Sequence, residues 1–204
     1  MTVIKHSALD RTIKVLESVD QASSDFDLNP DIDLPENRKL RDAGVLMLIE
    51  ETVQGPVVYL TKRASHLKHH PGQIAFPGGK TDPSDQDQTQ TALREAEEEI
   101  GLPQSYVEIL GHLSTHETVT GFQVRPVVGL LKKTFEPILE QAEVDEVFRV
   151  PLCHVIDPNN FIIEGRIWNG INRKYYAVPY GPYYIWGATA RMLFGLAKRI
   201  DHAN

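Results

Sequence analysis

The sequence contains one cysteine, no long apolar run and fewer basic than acidic residues. Because Cys153 is alone, no intramolecular disulfide can form, and this predicts a reducing compartment. Cys153 lies in the apolar run Val150-Pro151-Leu152, so we expect a buried structural thiol rather than a nucleophile. No stretch approaches the ~18 apolar residues of a membrane-spanning helix, and the N-terminus lacks the apolar region of a signal peptide. We therefore expect a cytoplasmic protein without a membrane partner.

The charge balance excludes one broad class of function. The chain has 21 Lys and Arg against 28 Asp and Glu, which gives a formal net charge of -7 at pH 7. General nucleic-acid-binding proteins normally carry a basic excess, so we expect no nucleic-acid partner. A small anionic substrate stays compatible with this charge, because a bound metal ion can supply positive charge locally. The length of 204 residues, 41% of them hydrophobic, is enough for one globular domain.

The pattern of apolar residues divides the chain into two parts. Helical spacing predicts a short helix over residues 8–19, and a Ser-, Asp- and Pro-rich stretch over 21–37 predicts an irregular arm. We assign residues 1–38 to this N-terminal helix and arm, and residues 39–204 to the main domain. Its patterns predict strands at 45–49, 57–61, 107–113, 122–131 and 147–152, and helices at 89–100 and 185–200. Because no regular βαβ period is present, we expect an α+β fold with a mixed sheet flanked by helices.

An acidic helix that follows a pair of glycines carries the strongest functional signal. Glu95, Glu98 and Glu99 share one helix face, because an α-helix advances about 100° per residue. A divalent cation would remove the repulsion among these carboxylates, and hard oxygen ligands suit Mg²⁺ or Mn²⁺. No His or Cys pair has zinc spacing, so zinc is not expected. A solvated face is the commonest meaning of a glutamate run, but the glycine pair, Arg94 and Gly101 at its flanks favour a metal site.

These residues resemble the Nudix box. That motif consists of Gly, five residues, Glu, seven residues, Arg-Glu, an apolar residue, any residue, Glu-Glu, any residue, Gly and an apolar residue. Every specified position from Arg94 to Leu102 matches. Counted from Gly79, the earlier acidic position holds Asp85 instead of Glu, and eight residues instead of seven precede Arg94. We expect Asp85 either to pair with Arg94, as this position does in the family, or to cap the helix.

The resemblance implies a fold, a reaction and a set of roles. The implied fold is a Nudix-type mixed β-sheet sandwiched between helices, and the implied reaction is metal-dependent hydrolysis of a phosphoanhydride bond. The implied metal ligands are the side chains of Glu95, Glu98 and Glu99 and the carbonyl of Gly79. Glu98 is our choice for the base that accepts the proton of water, and Arg94 would orient a carboxylate. A further ligand from outside the box stays open, with Glu117, Glu143 and Glu146 as candidates.

A longer segment before the box resembles the coenzyme A pyrophosphatase branch of this family. The segment runs from Leu60 to Gly79, and the resemblance continues at 81–85, 120–122, 126–129 and 185–191. The implied reaction splits coenzyme A, or a derivative with the same diphosphate, into 4'-phosphopantetheine and adenosine 3',5'-bisphosphate. The implied partner is thus a small-molecule nucleotide diphosphate.

Three residues of this segment are expected to bind that substrate. Arg63 is the expected phosphate ligand, because a guanidinium group binds phosphate oxygens as a fork. His70 and Gln73 are expected to join it. We expect the side chains of Phe122 and Trp186 to lie in the core rather than against a substrate.

Two other functions stay open at this stage. The first is a Nudix hydrolase that acts on another nucleotide diphosphate such as ADP-ribose. The second is a non-catalytic Nudix module that senses a nucleotide. Such modules typically lose glutamates from the box, whereas this chain keeps Glu95, Glu98 and Glu99.

Overall fold

The computed structural model describes residues 7–16, 21–32, 38–68, 70–168 and 170–203. Its α-helices are α1 Ala8–Leu16, α2 Gln88–Ile100, α3 Leu152–Val155 and α4 Ala188–His202. Its strands are β1 Ser23–Ser24, β2 Arg41–Thr52, β3 Gly55–Arg63, β4 Ile74–Ala75, β5 Gly78–Lys80, β6 Val107–His112, β7 His116–Glu117, β8 Phe122–Leu131, β9 Val144–Pro151, β10 Ile162–Trp168, β11 Ile171–Tyr180 and β12 Tyr183–Trp186.

Nine of the described strands form one mixed sheet. Its main path is β1-β7-β8-β2-β3-β4, and β5, β6 and β9 pair with β2, β8 and β3 respectively. The central pair, β2 and β8, is parallel, whereas β2 and β3 form an antiparallel hairpin. The remaining strands β10, β11 and β12 form a separate antiparallel sheet. The mixed sheet with helices confirms the α+β expectation.

Helices cover both faces of the large sheet. Strand β2 is buried on both faces, and its side chains alternate between two cores. Leu46 and Leu48 pack in the core that contains α2, whereas Met47 and Ile49 pack in the core that contains α4. This arrangement confirms the predicted sandwich, and it fixes α2 on the side of the sheet opposite α4.

Two predictions for the last third of the chain, the start of the last helix and the burial of Cys153, were wrong. The last helix starts at Ala188 instead of residue 185, because Ile185 belongs to β12 and Gly187 makes a turn with φ 66° between strand and helix. The strands β10 and β11 were not predicted. Cys153 is exposed, not buried, because the short helix α3 turns Leu152 and Val155 inward and leaves Cys153 on the outer side.

The N-terminal elements pack against the main domain. Helix α1 contacts α4 and β6; its predicted extension over 17–20 lies outside the described residues. The described part of the arm, residues 21–32, contains β1, which pairs in parallel with β7. Within the described parts of the chain, no helix has the length and apolar character needed to cross a membrane.

Candidate active site

The acidic helix α2 lies unusually close to the sheet at one glycine. A Cβ atom at Gly44 of β2 would overlap the carbonyl oxygen of Gln88, so only a glycine lets the first turn of α2 approach the strand this closely. Asp87 caps the helix by accepting a hydrogen bond from the backbone N–H of Gln90 at 2.9 Å. Gly101 ends it in the left-handed conformation, with φ 68°. The sequence of the helix and its caps thus fixes where the glutamates stand.

Two glycines of β5 contact two of the three glutamates. The Glu95 carboxylate lies against Gly79, where a Cβ atom would stand 2.5–2.6 Å from its carboxyl atoms. The backbone N–H of Gly78 donates to Glu99 Oε2 at 3.2 Å. Because Gly78 and Gly79 pair with β2, the sheet itself holds the backbone against which these carboxylates rest. A larger residue at Gly78 would overlap the backbone of β2, and one at Gly79 would displace the Glu95 carboxylate.

Arg94 links the acidic side chains to one another. Its Nε and Nη2 atoms donate to Asp85 Oδ1 and Oδ2 at 2.9 and 3.0 Å. Its Nη2 atom lies 3.0 Å from Glu95 Oε1, and its Nη1 atom donates to Glu98 Oε2 at 2.8 Å. The Arg94 hydrogen bonds hold the pKa of the nearly buried Asp85 carboxyl far below its usual range. Asp85 therefore pairs with Arg94, which was the first of its two expected roles. The residue that caps the helix is Asp87 instead.

Burial opposes the charged form of two glutamates. The pKa of Glu99 is raised to about 8, chiefly by burial and also by the negative charges of Glu95 and Glu143, against a lowering by the Gly78 N–H and by Arg63. Burial also raises the pKa of Glu95, against the opposing effect of Arg94. Both carboxylates are thus partly removed from water, and a bound cation would stabilise their charged forms.

The donor set fits a hard divalent cation. Glu95, Glu98, Glu99 and the carbonyl of Gly79 offer only oxygen atoms, the ligands that Mg²⁺ and Mn²⁺ prefer. In the described parts of the chain, no three acidic, His or Cys side chains lie close enough together to hold a metal ion as they stand. Arg94 pairs with both Glu95 and Glu98, and the Glu98 carboxylate is largely exposed.

One of the three candidate outer ligands is electrostatically close to the cluster. The charge of Glu143 acts on both Glu95 and Glu99, and its carbonyl accepts a hydrogen bond from Ala64 N–H at 2.8 Å. Glu117 pairs with Arg38. Glu146 accepts a hydrogen bond from the Tyr183 hydroxyl. Its effect on the pKa values of Glu95 and Glu99 therefore favours Glu143 among the three candidates.

A cavity of about 330 Å³ adjoins the glycine pair. The three predicted substrate residues Arg63, His70 and Gln73 all line it, as do Gly78 and Gly79. The three glutamates do not line it themselves, but Glu95 and Glu99 contact the two glycines that do. The structure thus brings the predicted substrate residues and the predicted metal ligands to adjoining places.

Two aromatic residues face this cavity instead of lying fully in the core. Phe122 and Trp186 are half-buried and line the cavity wall, although the core was the expectation for both. The guanidinium group of Arg41 stands 3.9 Å from the centre of the Phe122 ring. Neither His66 nor Lys68 lines the cavity, and His69 lies outside the described residues.

Other residues of the cavity come from segments that had no predicted function. The arm contributes Asp25, Phe26 and Asn29. The strands β10 and β11 contribute a further set, namely Arg166, Trp168, Arg173, Lys174 and Tyr175. The Asn169-Gly170 dipeptide is a recognised hairpin signal and could have indicated these strands. The arm gives no comparable signal.

Comparison with known proteins decides the family. The NUDIX domain family matches residues 38–163. The chain belongs to the Nudix family. A protein named uncharacterized Nudix hydrolase NudL from Yersinia enterocolitica is 39% identical over 146 residues, which covers 72% of this chain and 75% of the relative. The NudL of Yersinia pestis is 40% identical and covers 72% and 73%. The resemblance of the box is thus confirmed, and the chain is a Nudix hydrolase.

A solved structure supports the fold as well. The MutT protein from Methanosarcina mazei superposes with a TM-score of 0.50 at 20% identity, and the match covers 83% of this chain and 99% of that one. At this identity the likeness concerns the fold alone. Nudix hydrolases generally use divalent metal cations, in agreement with the oxygen donors on α2.

Proposed function

We propose that this Nudix hydrolase cleaves the diphosphate of coenzyme A, or of a derivative, into 4'-phosphopantetheine and adenosine 3',5'-bisphosphate. The observation that carries the proposal is the cavity lined by Arg63, His70, Gln73 and Gly79. These residues belong to the segment that resembles the coenzyme A branch, and they adjoin the acidic helix. We further propose Mg²⁺ or Mn²⁺ as the cation.

The cation site would be formed by Glu95, Glu98, Glu99 and the carbonyl of Gly79. A divalent cation held there supplies positive charge to the diphosphate oxygens and lowers the pKa of a bound water. The buried position of Glu99 and its bond from Gly78 N–H keep one ligand fixed. Fixed ligands reduce the reorganisation needed when charge develops during the reaction.

Glu98 is the residue that we propose as the base. Its carboxylate is largely exposed, so that it can reach a water molecule, and Arg94 Nη1 holds one of its oxygens at 2.8 Å. In the reaction, the water oxygen bonds to one phosphorus, the bond from that phosphorus to the bridging oxygen breaks, and Glu98 accepts the proton of the water. Attack at either phosphorus yields the same two phosphomonoesters.

Arg63 is the residue that we propose to bind the diphosphate oxygens. It lies at the end of β3, where the register with β9 shifts between Lys62 and Arg63. Two backbone hydrogen bonds to Gln73 and Gly72, at 3.0 and 3.1 Å, hold the loop back against Arg63. This loop places His70 and Gln73 in the same cavity wall. These backbone contacts fix the main chain of Arg63 beside the two other predicted substrate residues.

A turnover comparison tests this proposal. Coenzyme A and ADP-ribose would be supplied at equal concentration with Mg²⁺, and product release would be measured for the wild type and Glu98→Gln. We expect a higher kcat/KM for coenzyme A, and a loss of at least about a hundredfold in kcat in the variant with ligand binding retained. Glu97→Gln is the matched control, because Glu97 lies on the same helix but is exposed and is not one of the proposed ligands.

Two outcomes would contradict the proposal in different ways. A strong preference for ADP-ribose would leave the chemistry in place and remove the coenzyme A assignment. Binding of nucleotides without turnover by the wild type would instead support a sensing module. Loss of turnover in Glu98→Gln but not in Glu97→Gln argues against that module.

A further inference from the structure

The strands β10 and β11 form a two-stranded ribbon, and one face of it lines the cavity. In their antiparallel register Arg166 stands opposite Arg173, and Glu164 stands opposite Tyr175. Cross-strand partners share a face, as do alternate residues along a strand, so these four side chains and Trp168 belong to one face. We call it the ribbon face. Every member except Glu164 lines the cavity, so the ribbon face is turned toward the substrate.

The two arginines of the ribbon face form no ion pair with a described residue. Like charges directly opposite each other destabilise a sheet, yet no described residue forms a hydrogen bond or ion pair with Arg166 or Arg173. The Nε atom of Arg173 is buried without a partner. The carboxylate of the ribbon face, Glu164, accepts hydrogen bonds from the hydroxyl groups of Tyr184 and Tyr175 instead. A buried, unpaired guanidinium donor indicates a missing anionic ligand.

The cavity concentrates positive charge in an otherwise acidic protein. Among the described residues its walls contain five Lys and Arg side chains and one carboxylate, that of Asp25, whereas the chain carries a net charge of -7. Asp25 is already engaged, with its Oδ1 atom 3.1 Å from His116 Nε2 and its Oδ2 atom accepting from Val119 N–H at 2.8 Å. Lys and Arg side chains therefore outnumber carboxylates among the described residues of the cavity wall, and this excess suits an anionic substrate.

The N-terminal arm fixes the position of the ribbon. The side-chain amide of Asn29 accepts from the backbone N–H of Lys174 at 2.8 Å and donates to the carbonyl of the same residue at 2.9 Å. Lys174 lies between Arg173 and Tyr175 on β11, so this contact holds both neighbours in place. The arm is held in turn through β1 and through Asp25 on His116.

We propose that Arg166 and Arg173 bind a phosphomonoester at the nucleoside end of the substrate, separate from the diphosphate that is cleaved. The inference rests on the proposed function, because adenosine 3'-phosphate is the part of coenzyme A that carries such a group. Two opposed guanidinium groups supply several donors for one dianion. Tyr175 and Trp186, whose ring centres lie 5.1 Å apart, offer apolar surface to the adenine. Arg63 and the glycine pair, which adjoin the acidic helix, bind the diphosphate.

A comparison of two substrates tests this assignment. Dephospho-coenzyme A lacks the 3'-phosphate but keeps the diphosphate. We expect the wild type to prefer coenzyme A in kcat/KM, and Arg166→Gln and Arg173→Gln each to lower kcat/KM for coenzyme A by about tenfold to a hundredfold. The same variants should change kcat/KM for dephospho-coenzyme A by less than about twofold. Arg149→Gln is the matched control, because Arg149 is an exposed arginine that pairs with Glu50 away from the cavity.

Several results would overturn the assignment. An equal loss on both substrates would indicate a structural role, and a wild type that treats the two substrates alike would remove the phosphate site. Because Arg166 is exposed, Arg166→Gln keeps the test valid if Arg173→Gln does not fold.

A binding measurement separates this inference from the proposed function. Calorimetric titration of the metal-free protein would compare adenosine 3',5'-bisphosphate with adenosine 5'-monophosphate. We expect about tenfold or tighter binding of the bisphosphate by the wild type, and equal affinities in Arg166→Gln. A wild type that hydrolyses no coenzyme A but shows this difference would contradict the proposed function and support the ribbon site. Equal affinities in the wild type would contradict the ribbon site, whatever the turnover.

Discussion

Replacing Glu99 with glutamine tests the electrostatics of the acidic helix. Burial raises the pKa of Glu99 from 4.5 to about 8 in the folded protein. Between these values the unfolded chain has released a proton that the folded chain retains, so stability falls as pH rises toward the folded pKa. Between pH 6 and the folded pKa of about 8, the free energy of unfolding falls by ~1.4 kcal/mol per pH unit. The loss from pH 6 to pH 9 is therefore about 3 kcal/mol. Glutamine carries no charge and should not show this loss.

The assay is thermal unfolding in the presence of a chelator at pH 6 and at pH 9. For a chain of this length ~3 kcal/mol corresponds to about 6–12 °C in Tm. We expect Tm of the wild type to fall by about that amount more than Tm of Glu99→Gln across this interval. Glu97→Gln, with the same chemical change at an exposed position, should follow the wild type. Parallel curves for the wild type and Glu99→Gln would refute the reasoning.

The same thermal unfolding assay can be carried out with Mg²⁺ in place of the chelator. A cation that binds the folded state alone raises Tm, and the rise grows with its concentration relative to its Kd. At pH 8 we expect millimolar Mg²⁺ to raise Tm of the wild type, and to raise Tm of Glu99→Gln by clearly less. An equal rise in both proteins would place the cation away from Glu99.

Two glycine substitutions should separate stability from catalysis. Gly79→Ala would set a methyl group 2.5–2.6 Å from the Glu95 carboxyl atoms, so we expect kcat to fall about tenfold or more while Tm changes little, because a side chain can move. Gly44→Ala would overlap the backbone of α2, so we expect a loss of about 2 kcal/mol or more, seen as a fall of roughly 5 °C in Tm. Steady-state kinetics and calorimetry measure the two effects, and each variant is the control for the other. The reverse pattern would show that the helix-to-strand contact is misassigned.

The acidic helix could be predicted because its information is local. The i, i+3, i+4 spacing of Glu95, Glu98 and Glu99 follows from helix geometry, and Gly101 ends the helix where expected. The long strand over 122–131 was also predicted with its observed bounds. What the spacing does not contain is the contact of Glu99 with the Gly78 N–H and of Glu95 with Gly79, which the tertiary structure sets. The pair of Arg94 and Glu98, four residues apart, is local to the helix.

The ribbon could not be found by the same reasoning. All seven residues of β10 are exposed, so no alternation of polar and apolar residues marks it as a strand. Ile185 lies at helical spacing from Ala188 and Met192, and this spacing led to the wrong start of the last helix. Only the turn at Gly187 separates β12 from α4.

The composition of the cavity depends on contacts between distant parts of the chain. Asn29 of the arm reaches Lys174 of β11 over 145 positions of sequence. His116 joins β7 to Asp25 of the arm in the same way. Such pairings are tertiary and leave no periodic pattern in the sequence.

Product analysis in ¹⁸O-labelled water tests the central claim most directly. Coenzyme A would be incubated with the protein and Mg²⁺, or with chelator in place of Mg²⁺, and the products identified by mass spectrometry. The account predicts equal amounts of 4'-phosphopantetheine and adenosine 3',5'-bisphosphate, with one labelled oxygen in a phosphate group of one product per turnover, and no products with chelator. Intact coenzyme A after long incubation with Mg²⁺, or cleavage at any bond other than the phosphoanhydride, would contradict it.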